Sequence, residues 1–280
     1  MSLRQLRASL AGSALAGSIA ACVLAASPAA AFQAPSGGWT VTIGVMGAAV
    51  PVFEGADSMR FRPLPIFSVR AAGTSARWRA PDDSIRIGLL EHDRLRVGVS
   101  GRLRAPREEK DSHALQGLRR VGWTPEVGVF AEIWASDVLR LSVDGRQGIG
   151  GHQGFVVDLG ADFVVRPESS YTLSIGPRLA WASESYMRSY FGIDAAHSAL
   201  TGLPVYQPSY GLRSVGIVAS AQVALTQAVT VHAYARYDRL VGPVAEAPLV
   251  RFRGSRNQFG IGAGISYTFD FGGPPAPRWD

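Results

Sequence analysis

Few residues in this chain have the types and spacing that catalysis needs. There are five histidines: His92, His113, His152, His197 and His232. His152 stands in the glycine-rich run Gly148–Gly154, where an imidazole could act as a base or a metal ligand. No nucleophile in a supporting context accompanies it. A turn whose glycines permit positive φ, with His152 bonding locally, accounts for the same residues more simply. His197 precedes Ser198, but adjacency in sequence does not build a dyad, because the geometry has to be right. No histidine pair has the spacing of a zinc site, and the one cysteine is Cys22. The His-x-Ser-Asn pattern of membrane lipid hydrolases is missing, so a rim-located lipid-modifying enzyme is the weakest functional reading. The Gly148–Gly154 run lacks the lysine and the following helix of a phosphate loop. These residues lead to an expectation of no enzyme activity, no cofactor and no metal.

Ion pairing is the chemistry the sequence does supply. Arg96, Arg102, Arg104, Arg140, Arg146, Arg178 and Arg236 occupy alternate positions in segments whose other positions are apolar. Asp144, Asp158, Asp162 and Asp238 do the same, as do Arg62, Arg86, Glu126, Glu132 and Asp270. One reading is an internal ladder that fills and stiffens a barrel, since a guanidinium grips carboxylates with a planar fork. The other is a narrow pore that favours anions. The net charge of +6 does not imply nucleic-acid binding, because the arginines are scattered and no nucleic-acid motif accompanies them.

The elements that must hold these side chains are strands. From Trp39 onward apolar and polar residues alternate with period 2. The last segment is the clearest. Phe259, Ile261, Ala263, Ile265, Tyr267, Phe269 and Phe271 form one face, opposite Gly260, Gly262, Gly264, Ser266, Thr268 and Asp270. The pattern predicts an all-β fold: a transmembrane, antiparallel, up-and-down β-barrel of about 12 strands, or alternatively about 10. The strands fall near 39–50, 60–70, 74–81, 84–91, 94–105, 122–135, 138–147, 154–166, 170–183, 208–225, 228–241 and 256–271. Connections alternate between short turns and longer loops, as expected of a barrel with periplasmic turns and external loops. A soluble sandwich or lipocalin-like barrel also alternates, but it has no reason to sort its loops by length. Trp39, Phe67, Trp134, Tyr171, Trp181, Tyr237 and Phe271 lie near strand ends, where interfacial aromatics belong.

Residues 1–31 read as a signal peptide. Arg4 and Arg7 form its charged start, an alanine-rich apolar stretch follows, and Ala29-Ala30-Ala31 supplies a cleavage site. Ile19-Ala20-Ala21-Cys22 offers a rival lipoprotein site. Residues 32–271 then form the barrel and 272–280 a proline-rich tail. The composition, 47% hydrophobic and 18% charged, is too apolar for disorder.

Several blocks in order resemble the MipA/OmpV family of outer-membrane proteins. They include Gly44-Val45-Met46-Gly47, Pro51-Val52-Phe53-Glu54-Gly55-Ala56-Asp57, Pro63-Leu64-Pro65 and Gly101-Arg102. Leu115-Gln116-Gly117-Leu118, Gly148–Gly154, Trp181 and Tyr186–Ile193 follow, then Tyr237-Asp238-Arg239-Leu240, Ala247-Pro248-Leu249-Val250 and Asn257-Gln258. The chain departs from the family at Phe53, where tyrosine is frequent, and in the tail after Phe271. The resemblance implies a scaffold in the bacterial outer membrane that brings a lytic transglycosylase together with a murein synthase. Other members are implicated in adhesion or small-solute permeation. Lipids, lipopolysaccharide and the barrel-assembly machinery are further expected partners, and Tyr267, Phe269 and Phe271 form an expected assembly signal. Segments 106–121 and 184–207 are expected loops, and His152, Tyr186, Tyr190 and Phe191 are candidate loop contacts. The aromatics of 184–207 either anchor a partner or fold inward and plug the mouth.

Overall fold

The structure is a computed structural model that describes residues 38–74, 77–168 and 170–272. The signal peptide, Cys22 and the tail beyond Gly272 lie outside the described residues. Eleven strands form one antiparallel sheet. They are β1 (Trp39–Pro51), β2 (Met59–Ala71), β3 (Ile85–Glu91), β4 (Leu95–Arg104), β5 (Thr124–Trp134) and β6 (Leu139–Gly148). The remainder are β7 (Phe155–Val165), β8 (Tyr171–Ala182), β9 (Gly211–Ala224), β10 (Val229–Leu240) and β11 (Asn257–Phe271).

The order across the sheet is β2-β1-β11-β10-β9-β8-β7-β6-β5-β4-β3. The first and last strands therefore pair, from Trp39↔Phe271 to Ala49↔Ile261. The outer edges of β2 and β3 do not bond to one another. Direction explains this seam. β2 runs from the long-loop end to the short-turn end, and β3 does too, because it leads into the short turn at 92–94. The chain between them has to climb back, and its described residues 77–84 do so inside the barrel. The described residues of the expected strand at 74–81 form no strand, and among the described residues eleven strands stand where about twelve were expected. Trp78 of this segment is buried against Trp134, its ring edge-on at 6.4 Å. Trp134 therefore faces the lumen and not the lipid. A turn at Ala80-Pro81-Asp82-Asp83 ends the climb. The Ala80 carbonyl accepts the Asp83 N–H and the Asp83 carboxylate accepts the Ala80 N–H.

Side-chain parity divides the sheet into two faces. Phe61, Ile87, Val129, Ile175 and Ile261 lie on the outer face and are exposed. Phe61 is 73% and Ile261 60% exposed, on strands separated by β1. A monomer in water rarely carries so continuous an apolar belt, whereas lipid tails require one. Among the described residues no helix is long and apolar enough to cross a membrane.

The two larger hydrophobic clusters lie at the long-loop end, and a smaller one, Trp78, Ala80 and Val164, lies inside the barrel. The caps of the long-loop end are α1 (Glu184–Phe191), α2 (Ala195–Thr201), α3 (Gly242–Glu246) and α4 (Pro248–Arg253). α1 presents Tyr186, Met187, Tyr190 and Phe191 on one buried face, the spacing of an amphipathic helix. α2 starts on Asp194, whose carboxylate accepts the His197 N–H at 2.9 Å. Leu249, Val250, Val52, Phe53 and Leu115 complete the packing. Arg253 bonds the carbonyls of Ala114, Gln116 and Thr201, tying α4 to the loop and to α2.

Candidate functional site

The inner face carries the charged residues at alternate positions, and most of them meet in one network. Arg140 on β6 has no exposed side-chain surface and reaches Asp83 at 2.8 Å, Glu132 at 2.9 Å and Asp162 at 3.0 Å. Arg146, further along the same strand, binds Glu126 at 3.0 Å and Asp144 at 2.8 Å, and also Asp158. Asp144 receives Ser100 at 2.7 Å and Ser84 as well. Arg178 on β8 binds Asp162 at 2.6 Å and grips Asp82 at 2.9 and 3.1 Å. Arg236 on β10 reaches Asp82 at 3.0 Å and pairs with Asp238 on its own strand. Arg102 gives one nitrogen to Asp158 and another to the Asp82 carbonyl, and Arg104 pairs with Glu126. Arg96 bonds Glu91 and, with Arg86, flanks the buried Phe130 ring. Each buried guanidinium on β6 thus has at least three carboxylates around it, which is what keeps such charges tolerable away from water.

Three elements hold this network. The pleat aims every second residue inward. The seam segment places Asp82 and Asp83 at mid-height, where Arg178, Arg236, Arg140 and Arg86 converge. A β-bulge supplies the third. Ala180 pairs with Ser214 but Trp181 pairs with Leu212, so Arg213 is the extra residue and turns inward. It binds Glu54 at 2.6 Å and Asp158 at 3.0 Å.

The caps pack over part of the mouth. Glu54, in the β1–β2 loop, also accepts the Tyr186 hydroxyl. Burial alone would raise the Glu54 pKa, but Arg213 and Arg104 outweigh it and hold the carboxyl below its ordinary value. Burial pushes the Tyr186 and Tyr190 hydroxyls up. His152 is buried with its ring edge-on to Tyr186 at 5.0 Å. Its Nδ1 accepts the Gly154 N–H at 3.2 Å, which leaves Nε2 to donate to Glu126 at 3.1 Å. Two glycines make this possible. A Cβ on Gly148 would sit 2.2 Å from the His152 ring, and one on Gly154 would sit 2.3 Å from the Tyr186 nitrogen. Tyr186, Tyr190 and Phe191 are all buried. These aromatics turn inward into the mouth, while the opposite side of their helix, with Ser185 and Arg188, is exposed.

Two larger cavities lie one on each side of the seam segment. The one toward the short turns is about 1070 Å³ and is lined by Thr42, Met46, Leu64, Trp78, Gln222 and His232 among others. The one beneath the caps is about 390 Å³. Pro81 and Asp83 border the first, while Arg102 and Arg236, which bind the same turn, border the second.

Arg213, Asp82 and Asp83 are among the network residues that escape a reading by alternation, as are Glu54 and Glu91. Arg213 falls on the lipid-facing parity, and a charge there is itself the sign of a bulge. Asp82-Asp83 follow Pro81, a turn signal directly after a strand-like pattern. Tyr267, Phe269 and Phe271 lie on the outer face, with Tyr267 and Phe269 rings 4.6 Å apart.

No curated protein matches the sequence. Among solved structures, the NanC porin is similar over 82% of this chain and 98% of its own, at 9% identity and a TM-score of 0.41. An outer membrane channel from Pseudomonas putida F1 is similar over 86% of this chain and 98% of its own, at 9% identity and a TM-score of 0.43. OprG from Pseudomonas aeruginosa aligns over 85% and 98%, at 8% identity and a TM-score of 0.27. Residues 43–269 match the family described as MltA-interacting protein MipA, which takes in all or most of each of the eleven strands. With its lipid-facing belt, its polar interior and that match across most of the sequence, the chain belongs to the MipA family and is a β-barrel protein of the bacterial outer membrane.

Proposed function

We propose that this protein is a plugged barrel that works as a binding partner of murein-cleaving machinery, and that it is neither an open channel nor an enzyme. One observation carries the reading. Asp82 and Asp83 pin the seam segment across the lumen to Arg178, Arg236, Arg140 and Arg86, under a mouth already packed with α1. A barrel closed in this way offers surfaces and not a passage. The family's description as MltA-interacting protein supports a lytic transglycosylase as the partner class. Murein lies on the periplasmic side, so the contact surface is the short-turn end, including His92–Arg94, Ala135–Val138 and Leu225–Ala228. Enzyme chemistry has little support at the rim. Glu126 is already taken up by Arg104, Arg146 and His152, and the Thr124 hydroxyl bonds the Gly122 carbonyl and the His152 N–H.

Affinity capture from detergent-solubilised envelopes tests the scaffold. Recovery of a lytic transglycosylase above control, lost when the three turns are replaced by Gly-Ser sequences, is the expected result. Equal recovery with and without the turns counts against it. A second reading, a gated solute pore, is favoured by the two cavities lying on either side of a single segment. Planar-bilayer recording separates the two readings, since a plugged barrel is silent and a pore conducts.

A further inference from the structure

The 390 Å³ cavity under the caps has a lining of one dominant charge. Arg60 and Arg62 of β2, Arg102 and Arg104 of β4, Arg213 of β9 and Arg236 of β10 border it, with Arg107 from the β4–β5 loop. Glu54 and Asp238 are the carboxylates among its lining residues. Several of these arginines are neutralised from behind: Arg60 by Asp111 at 3.3 Å, Arg102 and Arg213 by Asp158, Arg104 by Glu126. Two are not. Arg62 makes no hydrogen bond or ion pair among the described residues, and the carboxylate nearest to it in influence, Asp111, is bound by Arg60. Arg107 is 6% exposed, and its guanidinium meets only the carbonyls of Tyr190 and Arg119 and the face of the Tyr190 ring. Burial lowers its pKa to about 10, outweighing the more distant Glu54.

The donors around this space are also incompletely used. Arg60 Nε, Arg104 Nη2, Arg107 Nε and Arg213 Nε are buried and have no acceptor. Each buried N–H left without a partner is destabilising, and four around one cavity call for acceptors that the chain does not provide. A guanidinium fork matches the oxygens of phosphate and carboxylate in pairs, which a neutral ligand cannot reciprocate. The volume is at the small end of ligand cavities, which suits something of monosaccharide size.

We propose that the cavity binds a small oxyanion bearing two or more phosphate or carboxylate groups, with Arg62 and Arg107 as its otherwise uncompensated counter-charges. The site is independent of whether the barrel conducts, because it lies on the mouth side of the seam segment. The anion could be a dissolved solute or the phosphorylated headgroup of a surface lipid, and the shared chemistry is the same.

The test is calorimetry on the full-length protein in detergent, with pyrophosphate and citrate as probes and glucose as the neutral control. Saturable binding of pyrophosphate or citrate, absent for glucose and weakening with added salt, is expected. Arg62→Gln should weaken it about tenfold to a hundredfold, the effect of losing one charge-assisted contact. Competition by purified lipopolysaccharide identifies a lipid headgroup, and its failure to compete identifies a dissolved solute; both support the site. A second measurement needs no variant. Phenylglyoxal should modify Arg94, at the short-turn end, with or without pyrophosphate, whereas pyrophosphate should shield Arg62. No saturable binding by either probe overturns the proposal, as do full affinity in Arg62→Gln and an unshielded Arg62.

Discussion

The seam segment should be releasable by removing the carboxylates that hold it. Asp82→Ala deletes an acceptor for Arg178 at 2.9 and 3.1 Å and for Arg236 at 3.0 Å. Neither arginine is stranded, since Arg178 keeps Asp162 and Arg236 keeps Asp238. The loss therefore belongs at the low end of the range for breaking a buried pair, about 3 kcal/mol. That is about two powers of ten in the equilibrium between docked and undocked segment. Asp83 remains, held by Arg140 at 2.8 Å and Arg86 at 3.0 Å, so the single variant loosens the segment and Asp82→Ala with Asp83→Ala frees it. Planar-bilayer recording reads the result. The unaltered protein should be silent, the single variant should show brief openings about a hundredfold more often, and the double variant should conduct steadily. A double variant that keeps its β circular dichroism and stays silent would refute the idea that 72–84 is the obstruction. Steady conductance by the unaltered protein would refute it equally.

Other outcomes follow from the mouth and the strands. Glu54 has a native pKa below its unfolded value of about 4.3, so its contribution is full above that pH and is lost as pH falls through the lowered value. Limited proteolysis should find the caps protected at neutral pH and progressively open below about pH 4, and Glu54→Gln should flatten that dependence. Asp194 is held at about 2, chiefly by the His197 N–H, so its carboxylate signal in NMR should not titrate until well below pH 4. Gly154→Ala puts a methyl 2.3 Å from the Tyr186 backbone nitrogen, which cannot rotate away. A loss of about 1–3 kcal/mol is expected, and an unchanged melting temperature would contradict the packing described. Phe271→Ala removes an exposed aromatic from the end of β11; folded protein in the outer membrane should fall while total synthesis does not.

The alternation of apolar and polar residues makes most of the wall legible in the sequence. In β11 and β8 nearly every second residue is apolar, so parity by itself names the lumen-facing charges. Parity fails where the backbone departs from regular pairing. Arg213 sits on a bulge, and a period-2 count has no place for an extra residue. Residues 74–81 carry a strand-like pattern in the sequence, yet the direction of β2 and β3 sends the described residues 77–81 inside, a constraint that depends on where the loops at both ends lie. The aromatics of α1 stand out as a cluster, but which way the helix faces depends on Glu54, His152 and Gly154, which lie far away in sequence. Local pattern therefore reveals the wall, while the plug and the caps depend on long-range contacts that no short window contains.

The pairing of β1 with β11 makes the two ends of the strand sequence neighbours within the wall, with Gly38 beside Gly272. The break in the covalent chain and the break in the hydrogen-bonded wall thus fall at different places, the first between β11 and β1, the second between β2 and β3. A circular permutation that joins the ends and opens the chain in the 136–137 turn would convert the most sequence-distant strand pair into a local hairpin while every strand kept its neighbours. Opening it within 72–84 instead would bring the two breaks together and cut the tether that holds Asp82 and Asp83 in the lumen. The same wall could in this way be built with its plug attached at one end only, which separates the work of the wall from the work of the segment that crosses it.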